Sequence, residues 1–532
     1  MENNTREKLD KLRGRWKFNE VRKTILKMIE NKEERDLNEE IVDILDLRSK
    51  TIDELINLFY SLKDTSFENI FYFNESLENL ALEIFKNNTP SDSILDLGSG
   101  VGHMLYKAAQ EYKFNDLEGE EINPDSIEIS NIILDKLDVK KKLLNVDSTF
   151  NFKNTKKYDS VFMDALFLNA TKKQLEEIEK KAGDDFIKTR GPILEWVFVN
   201  RILNNLNEDG LGIMVIRDSA LTSDFNTDIR KQLVEEGLVK AVIQLPGNII
   251  EYTSISTSIL VLSKKENDAI TFIDASNEFE SKKRYQAKFN ETNINAILNT
   301  FGKNTDISCV ISKTEIRKKH YVLNAKRYVN NIVDNLVNPV SLTSVVDVIR
   351  GRDISKKTLD DDKSNNKAGY LINLSDIKDY NITMPQQEIS TEILEEYKNF
   401  KVKPLDIIIT ARGSAFKVAI VNEELTDNNM IISSNLNILR VRDSNINPYY
   451  LFSFLTSQFA KEQIEQLSSG SVINVISKKS LDDFQVSLLN QEEQEEIAKE
   501  MEETIIDYTS YLERINKLQS DIKSLFERTL EA

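Results

Sequence analysis

Ser93-Ile-Leu-Asp-Leu-Gly-Ser-Gly-Val-Gly-His-Met104 decides how the rest of the chain is read. Its apolar start predicts a short buried strand with Asp96 at the strand end, and Met104 to Ala109 predicts the start of a helix. Gly98, Gly100 and Gly102 lie between the two. Glycine lets the backbone approach a ligand closely, and a helix N-terminus favours polar or anionic groups. Three glycines at alternate positions exceed what a plain strand–helix turn needs, although such a turn would serve a dinucleotide equally well.

Outward from this turn the pattern alternates strand and helix. Asp116 to Ile122, Lys142 to Val146, Tyr158 to Met163, Gly212 to Ile216, Val239 to Gln244, Ser258 to Ser263 and Ala269 to Asp274 read as further strands. The alternation predicts an α/β domain with a doubly wound, Rossmann-like parallel sheet, whose ligand sits beyond the carboxyl ends of the strands. Asp96, Glu121, Asp147 and Asp164 end four successive predicted strands there. Glu121 follows Asp96 by 25 residues, the spacing at which an acid accepts hydrogen bonds from ribose hydroxyls. Asp147 has the chemistry to meet the adenine amino group of the same ligand. A metal cluster is the rival reading, but acids spread over adjacent strand tips more often line a nucleoside pocket.

Composition sets bounds. The 532 residues suffice for about three domains, and 40% hydrophobic content supports packed cores. No apolar run of transmembrane length occurs, and the polar start Met1-Glu-Asn-Asn-Thr-Arg lacks the apolar core of a signal peptide. A single cysteine, Cys309, rules out an intrachain disulfide framework and fits a reducing cytoplasm. With His103 and His320 as the only histidines, no Cys/His zinc site is expected, and no metal is assigned. The net charge of −18 argues against an overall basic coat but leaves room for a local basic groove. The basic stretch from Arg6 to Lys27, including Arg22, reads as a solvated helix face in preference to a phosphate-contacting arm. Leu55, Leu58, Phe59 and Leu62 follow helical spacing and are expected to pack inward.

Asp96-Leu-Gly-Ser-Gly-Val-Gly102, Gly119-Glu-Glu-Ile-Asn123 and Asn145-Val-Asp-Ser148 resemble the S-adenosylmethionine motifs of adenine-N6 DNA methyltransferases. In particular they resemble those of the modification subunit of type I restriction–modification systems. Ala241-Val-Ile-Gln-Leu-Pro-Gly-Asn248, Thr257-Ser-Ile-Leu-Val-Leu-Ser263 and Phe272-Ile-Asp-Ala-Ser276 are similar to its downstream part. The resemblance implies that Tyr72, Asp96, Gly98, Gly100, Gly102, Glu121 and Asp147 bind S-adenosylmethionine. It also implies that Asp164, Ala165 and Phe167 form the catalytic turn. Two departures stand out. The family's Asn/Asp-Pro-Pro-aromatic turn reads Asp164-Ala-Leu-Phe167, and Phe71-Tyr-Phe-Asn74 stands where the family has an aromatic pair followed by Thr-Pro. Asp164 and the Ala165 carbonyl can still accept hydrogen bonds from an adenine amino group, and Phe167 can still stack on an extruded base. Without both prolines the turn loses its pre-set backbone angle, so weak or absent methylation is expected, with Ala165→Pro plus Leu166→Pro restoring it. The alternative is an impaired pseudo-methyltransferase that acts as a DNA-binding defence or regulatory subunit.

Residues 281 to 335 read as a charged connector. Beyond it, Val340 to Gly351, Tyr370 to Ile377, Lys403 to Gly413, Ser469 to Ser477 and Leu481 to Leu489 resemble, in order, one target-recognition domain of a type I specificity subunit. Leu405-Asp406 replaces the usual Gly-Asp before the central strand. Arg412, Lys417, Asn435 and Asn437 have the donor chemistry to contact DNA. Ser468-Ser-Gly-Ser471 reads as a solvent loop or a phosphate-contacting turn. From Asn490 a single long helix is expected, with Ile497, Met501, Ile505, Tyr508, Leu512, Ile515, Leu518, Ile522 and Leu525 as a coiled-coil seam. That seam would pair two chains, or else pack within one. The expected organisation is therefore a helical region over 1–85, a methyltransferase-like domain over 86–335, a recognition domain over 336–490 and a terminal helix over 491–532. The partners implied are double-stranded DNA, a second copy of the chain and a separate restriction or defence subunit, with no membrane. No phosphate loop of the G-x-x-x-x-G-K-[ST] type is found, so no motor activity is expected.

Overall fold

In the computed structural model the described residues are 16–30, 37–62, 74–90, 92–164, 167–184, 186–189, 191–250, 255–283, 286–329, 336–355, 358–359, 367–378, 380–413, 415–442, 445–467 and 474–531. The chain divides into two compact units, Met1–Val329 and Asn330–Ala532.

Among the described residues, four α-helices precede the sheet of the first unit: α1 (Phe18–Glu30), α2 (Glu39–Leu45), α3 (Ile52–Ser61) and α4 (Glu75–Asn88). Thr51 and Glu54 form a reciprocal capping box at the start of α3, and Asn74 caps α4. Leu55, Leu58, Phe59 and Leu62 are buried as expected. Arg22 departs from the solvated-face reading. It is buried, its Nε donating to the Leu62 carbonyl at 2.8 Å and its Nη1 to Asn19 Oδ1 at 3.0 Å. Arg6 and the other basic residues before position 16 lie outside the described residues.

Among the described residues, one sheet carries nine strands: β1 (Ser93–Leu97), β2 (Asp116–Glu121), β3 (Lys140–Asn145), β4 (Tyr158–Met163), β5 (Leu206–Arg217), β6 (Val239–Gln244), β7 (Thr257–Ser263), β8 (Ala269–Asp274) and β9 (Ser308–Ser312). Their order is β9-β8-β6-β7-β5-β4-β1-β2-β3. Helices α5 (His103–Tyr112), α6 (Pro124–Leu134), α7 (Lys172–Ala182), α8 (Glu195–Asn205) and α9 (Thr227–Glu235) lie between strands in sequence. Side chains alternate between two cores. Ile213, Val215, Ile259 and Val261 join the α1–α6 side, while Met214, Ile216, Leu260 and Leu262 join the α8–α9 side. A sheet buried on both faces explains the continuous apolar runs of these strands.

Two expectations need correction. The sheet is not wholly parallel: β7 runs antiparallel to β5 and β6, and β9 antiparallel to β8. No α-helix is assigned among the described residues joining β6 to β7, and a parallel return needs a crossover connection. The stretch 281–335 is not a mere connector either. It supplies helix α10 (Glu291–Leu298) and edge strand β9, and it buries Ile316, Leu323, Ala325, Tyr328 and Val329 in the core beneath β5 to β8. Its elements are too short to print a period on the sequence.

The second unit centres on a four-stranded antiparallel sheet of β10 (Val346–Arg350), β13 (Ile407–Thr410), β14 (Val418–Ile420) and β16 (Leu436–Val441), in the order β10-β16-β13-β14. A three-stranded sheet joins β11 (Lys367–Ile372), β12 (Glu388–Ser390) and β15 (Met430–Ile432), with β11 in the middle. Ile407, Ile409 and Leu439 face a core closed by α11 (Pro448–Thr456) and α12 (Gln458–Leu467), whereas Ile408 and Ile438 face a second core. Helix α13 (Gln491–Glu531) begins on the first of these cores through Ala498, with Ile497, Met501 and Ile505 packed against it. These three seam positions are therefore used inside their own unit. Tyr511, Ile515, Leu518 and Ile522 are exposed. Among the described residues, no helix is long and apolar enough to cross a membrane, and no group of acidic, histidine and cysteine side chains is placed to hold a metal.

Leu405 sits at φ +65°, in the left-handed region where glycine is favoured. The next residue explains why the turn is kept. Asp406 is buried, accepts the Lys403 N–H at 2.7 Å, and is gripped by Arg440 Nε and Nη2 at 2.8 and 2.7 Å. A leucine in this conformation costs about 1–2 kcal/mol, part of which glycine returns as unfolded-state entropy. Leu405→Gly is expected to stabilise the second unit by about 1 kcal/mol. A raised urea midpoint for that unit's transition checks this, and an unchanged or lower midpoint counts against it.

Candidate functional site

The β1–α5 turn takes its shape from backbone conformations that other residues rarely adopt. Gly98, Gly100 and Gly102 have φ of +86°, +53° and +78°. Gly98 and Ser99 both donate their N–H to the Glu120 carbonyl, at 2.7 and 2.9 Å. At Gly102 an added Cβ would stand 2.2 Å from Ser130 Oγ, so a side chain there is excluded by α6 as well as by φ. Beside this turn, Glu121 closes the end of β2. Its Oε2 accepts the Gly100 N–H at 2.9 Å and its Oε1 the Asn123 N–H at 2.8 Å. Each oxygen keeps a further lone pair for an incoming hydroxyl.

A cavity of about 420 Å³ opens at the carboxyl ends of β1 to β4. Gly98, Glu121, Asp147 and Asp164 all line it, together with Ile122, Phe150, Met163 and Phe198. The volume falls within the ~300–1,000 Å³ usual for small-molecule sites. A Cβ on Gly98 would lie 3.7 Å from Met163 Sδ and would occupy cavity space. Asp147 holds its own turn, accepting the Thr149 N–H and hydroxyl at 2.9 and 2.6 Å through Oδ1.

The remaining sequence-derived residues divide. Asp96, Gly100 and Gly102 are absent from the described cavity lining and build the turn from behind. Asp96 is buried, and its carboxyl is pushed well above the usual range, first by burial and then by the charges of Glu78, Asp164 and Glu121. Glu78 in turn contacts His103 Nδ1 at the head of α5, and the His103 ring meets Tyr60 edge-on at 4.6 Å. Phe167 is half-buried with φ +46°, its ring 5.7 Å from the Arg217 guanidinium. Tyr72 and Ala165 lie outside the described residues, as does the Ser468–Ser471 loop. Ile122, just beyond β2, Phe150, in the loop after β3, and Phe198, within α8, were missed because isolated apolar side chains look like ordinary core. The apolar residue directly after Glu121 was the available signal.

In the second unit, Arg412 and Asn435 are exposed and adjacent: the Asn435 carbonyl accepts the N–H groups of Ala411 and Arg412 at 2.7 and 3.1 Å. The other two expected DNA contacts are corrected. Asn437 is buried near the start of β16, paired with Ile409 on one side and Arg350 on the other. Lys417 spends its ammonium on the Leu374 and Ile377 carbonyls, at 3.1 and 2.7 Å.

A family profile described as N-6 DNA methylase matches residues 56–335, and one described as type I restriction modification DNA specificity domain matches residues 334–520. The MpnII type I methylase subunit of Mycoplasma pneumoniae is 36% identical over 140 residues, covering 25% of this chain and 26% of its own length. The EcoBI type I specificity subunit of Escherichia coli is 27% identical over 161 residues, covering 30% of this chain and 33% of its own. The chain thus spans about a quarter to a third of these relatives. Among solved structures, a type I methyltransferase subunit from Streptococcus thermophilus aligns at TM-score 0.48 and 22% identity, over 55% of this chain and 68% of that one. The type IIG restriction endonuclease BpuSI aligns at TM-score 0.47 and 15% identity, over 87% of this chain and 65% of that one.

The Asp96 environment has a pH signature. A carboxyl whose folded pKa lies above its ordinary value of 3.8 holds its proton more tightly in the folded state. Unfolding then releases a proton, and stability falls as pH rises through the raised value. Asp96→Asn is expected to remove that fall, so its stability relative to wild type rises as pH is raised from the ordinary carboxyl value of 3.8 towards neutrality. Urea unfolding of both forms across this range checks it, and parallel pH profiles would refute it.

Proposed function

The chain belongs to the N-6 DNA methylase family, and on that footing we propose that it methylates adenine N6 in DNA, with S-adenosylmethionine as donor and its second unit choosing the sequence. The observation that carries the reading is the convergence of Gly98, Glu121, Asp147 and Asp164 on one cavity. When bound, the cofactor supplies a methyl group on a sulfonium. Gly98 would give it close backbone approach, Glu121 would accept from the ribose hydroxyls, and Asp147 would take the adenine amino group. Ile122 and Phe150 supply apolar surface for the base. Asp164, on the same wall, accepts a hydrogen bond from the amino group of the target adenine, and Phe167 stacks on the extruded base. Arg412 and Asn435 head the candidates for DNA contact in the second unit, with a type I system, in a reducing cytoplasm, as the setting. Mapping methylated adenines in DNA from cells with and without the gene tests the activity. Asp164→Ala is expected to erase the marks, and Glu121→Ala to weaken cofactor binding at least tenfold by calorimetry. Absent marks with intact cofactor and DNA binding would favour the pseudo-enzyme instead.

The exposed stripe on α13 favours a second copy of the chain as a partner. Tyr511, Ile515, Leu518 and Ile522 recur at spacings of four, three and four, the period of a coiled-coil seam. Two recognition units would then read two half-sites. Replacing Ile515, Leu518 and Ile522 with Glu is expected to halve the mass seen by light scattering. An unchanged mass would argue against pairing through this helix.

A further inference from the structure

Phe167 holds a backbone conformation that bulky residues avoid, and no proline adjoins it. Something else must hold it. Arg217, the last residue of β5, is placed to do so. Its guanidinium grips Glu195, with Nε on Oε1 and Nη2 on Oε2 at 3.1 Å. From that anchor it reaches the Leu168 carbonyl through Nη2 and Asn169 Oδ1 through Nη1, both at 3.4 Å, and lies over the Phe167 ring. Glu195 opens α8 and is 2% exposed, so its carboxylate needs this partner. The segment after Phe167 is also laced by backbone: Leu194 donates to Leu168 at 3.2 Å, Ala170 to Pro192 at 2.6 Å, and Asn169 bridges Ile193.

An arginine beside a candidate DNA site invites a phosphate-contact reading. The geometry opposes it: the Arg217 side chain is only 14% exposed, and its Nε and Nη2 face is taken by Glu195. We propose that Arg217 is the positioning residue of the base-contacting turn, holding Phe167 and the Leu168 carbonyl in the place that prolines would otherwise fix. This rests on the methyltransferase reading for its purpose, but not for its geometry. Stiffness comes from a planar fork shared among Glu195, Leu168 and Asn169, which a lysine point charge cannot reproduce.

The test compares wild type, Arg217→Lys and, as a milder change, Glu195→Gln, all as full chains. Hydrogen–deuterium exchange of the 167–170 amides is read without DNA, cofactor affinity by calorimetry, and methylation by single-turnover kinetics. Exchange is expected to rise at least tenfold in Arg217→Lys and less in Glu195→Gln, with cofactor affinity unchanged. The rate of transfer is expected to fall by about a hundredfold while KM for DNA moves little, as a misplacement near 1 Å predicts. Exchange equal to wild type in both variants overturns the proposal whatever the kinetics. Should Arg217→Lys fail to fold, Glu195→Gln decides by the same readout. A wild type that methylates nothing, with exchange still raised in the variants, sinks the methyltransferase reading and supports the clasp.

Discussion

The carboxylate of Glu121 ties together the two turns on which the site depends. One oxygen holds the Gly100 N–H of the β1 turn and the other holds the Asn123 N–H at the head of α6. A carboxylate that accepts two backbone donors is oriented before any ligand arrives, and its remaining lone pairs point where those donors leave space. The β1 turn can only present Gly100 in this way because three glycines take up positive φ in five residues. Ser130 then closes the space over Gly102, so α6 and the turn fix one another. Displacing any one of these elements would displace the part of the cavity wall that Gly98 and Glu121 form.

Much of this was legible in the sequence, because strand ends announce themselves where a buried apolar run stops at an acid. Glu121 ends β2, Asp164 directly follows β4, and Asp147 stands two residues beyond β3. What periodicity could not tell is which acids face the cavity. Asp96 is one residue short of the end of β1, and that step turns it into the interior beneath the turn. Parity misled in the second unit as well. Asn437 and Asn435 look equivalent in sequence, yet one is buried in the ladder of β16 and the other lies exposed before that strand. Lys417 carried the right charge but found two backbone carbonyls of its own unit, a tertiary event that no local pattern encodes. The same holds for 281–329, where short elements are ordered by an existing sheet edge and not by their own propensity.

Arginine recurs as the device that fixes irregular backbone in the first unit. Arg22 holds the Leu62 carbonyl after α3, and Arg230 takes the Tyr321, Ala220 and Ser223 carbonyls at 2.7, 3.0 and 2.7 Å. Arg201 binds buried Glu120 at 2.7 Å and the carbonyl of Asn151. All three are almost fully buried. Burial of a guanidinium is costly unless its donors are matched, so each strut is stable only while the loop it holds is in place. In a chain of net charge −18, these cations work inside the fold and add nothing to a basic surface.

Proline and arginine stiffen a turn by different physics. Proline restricts φ covalently, in the folded and unfolded chain alike, and needs no neighbour. The Arg217 clasp exists only when β5, α8 and the segment from Phe167 are all assembled, because its contacts come from Glu195, Leu168 and Asn169. Rigidity of the segment from Phe167 is then a property of the packed unit. It follows that changes at the end of β5 or the start of α8, with no contact to a ligand, are felt at Phe167. The buried Glu195 carboxyl is raised by its burial and lowered by Arg217, so its charge and the clasp stand or fall together. The segment from Phe167 thereby depends on one ion pair, and the place to look for tuning of its position shifts to the strand beside it.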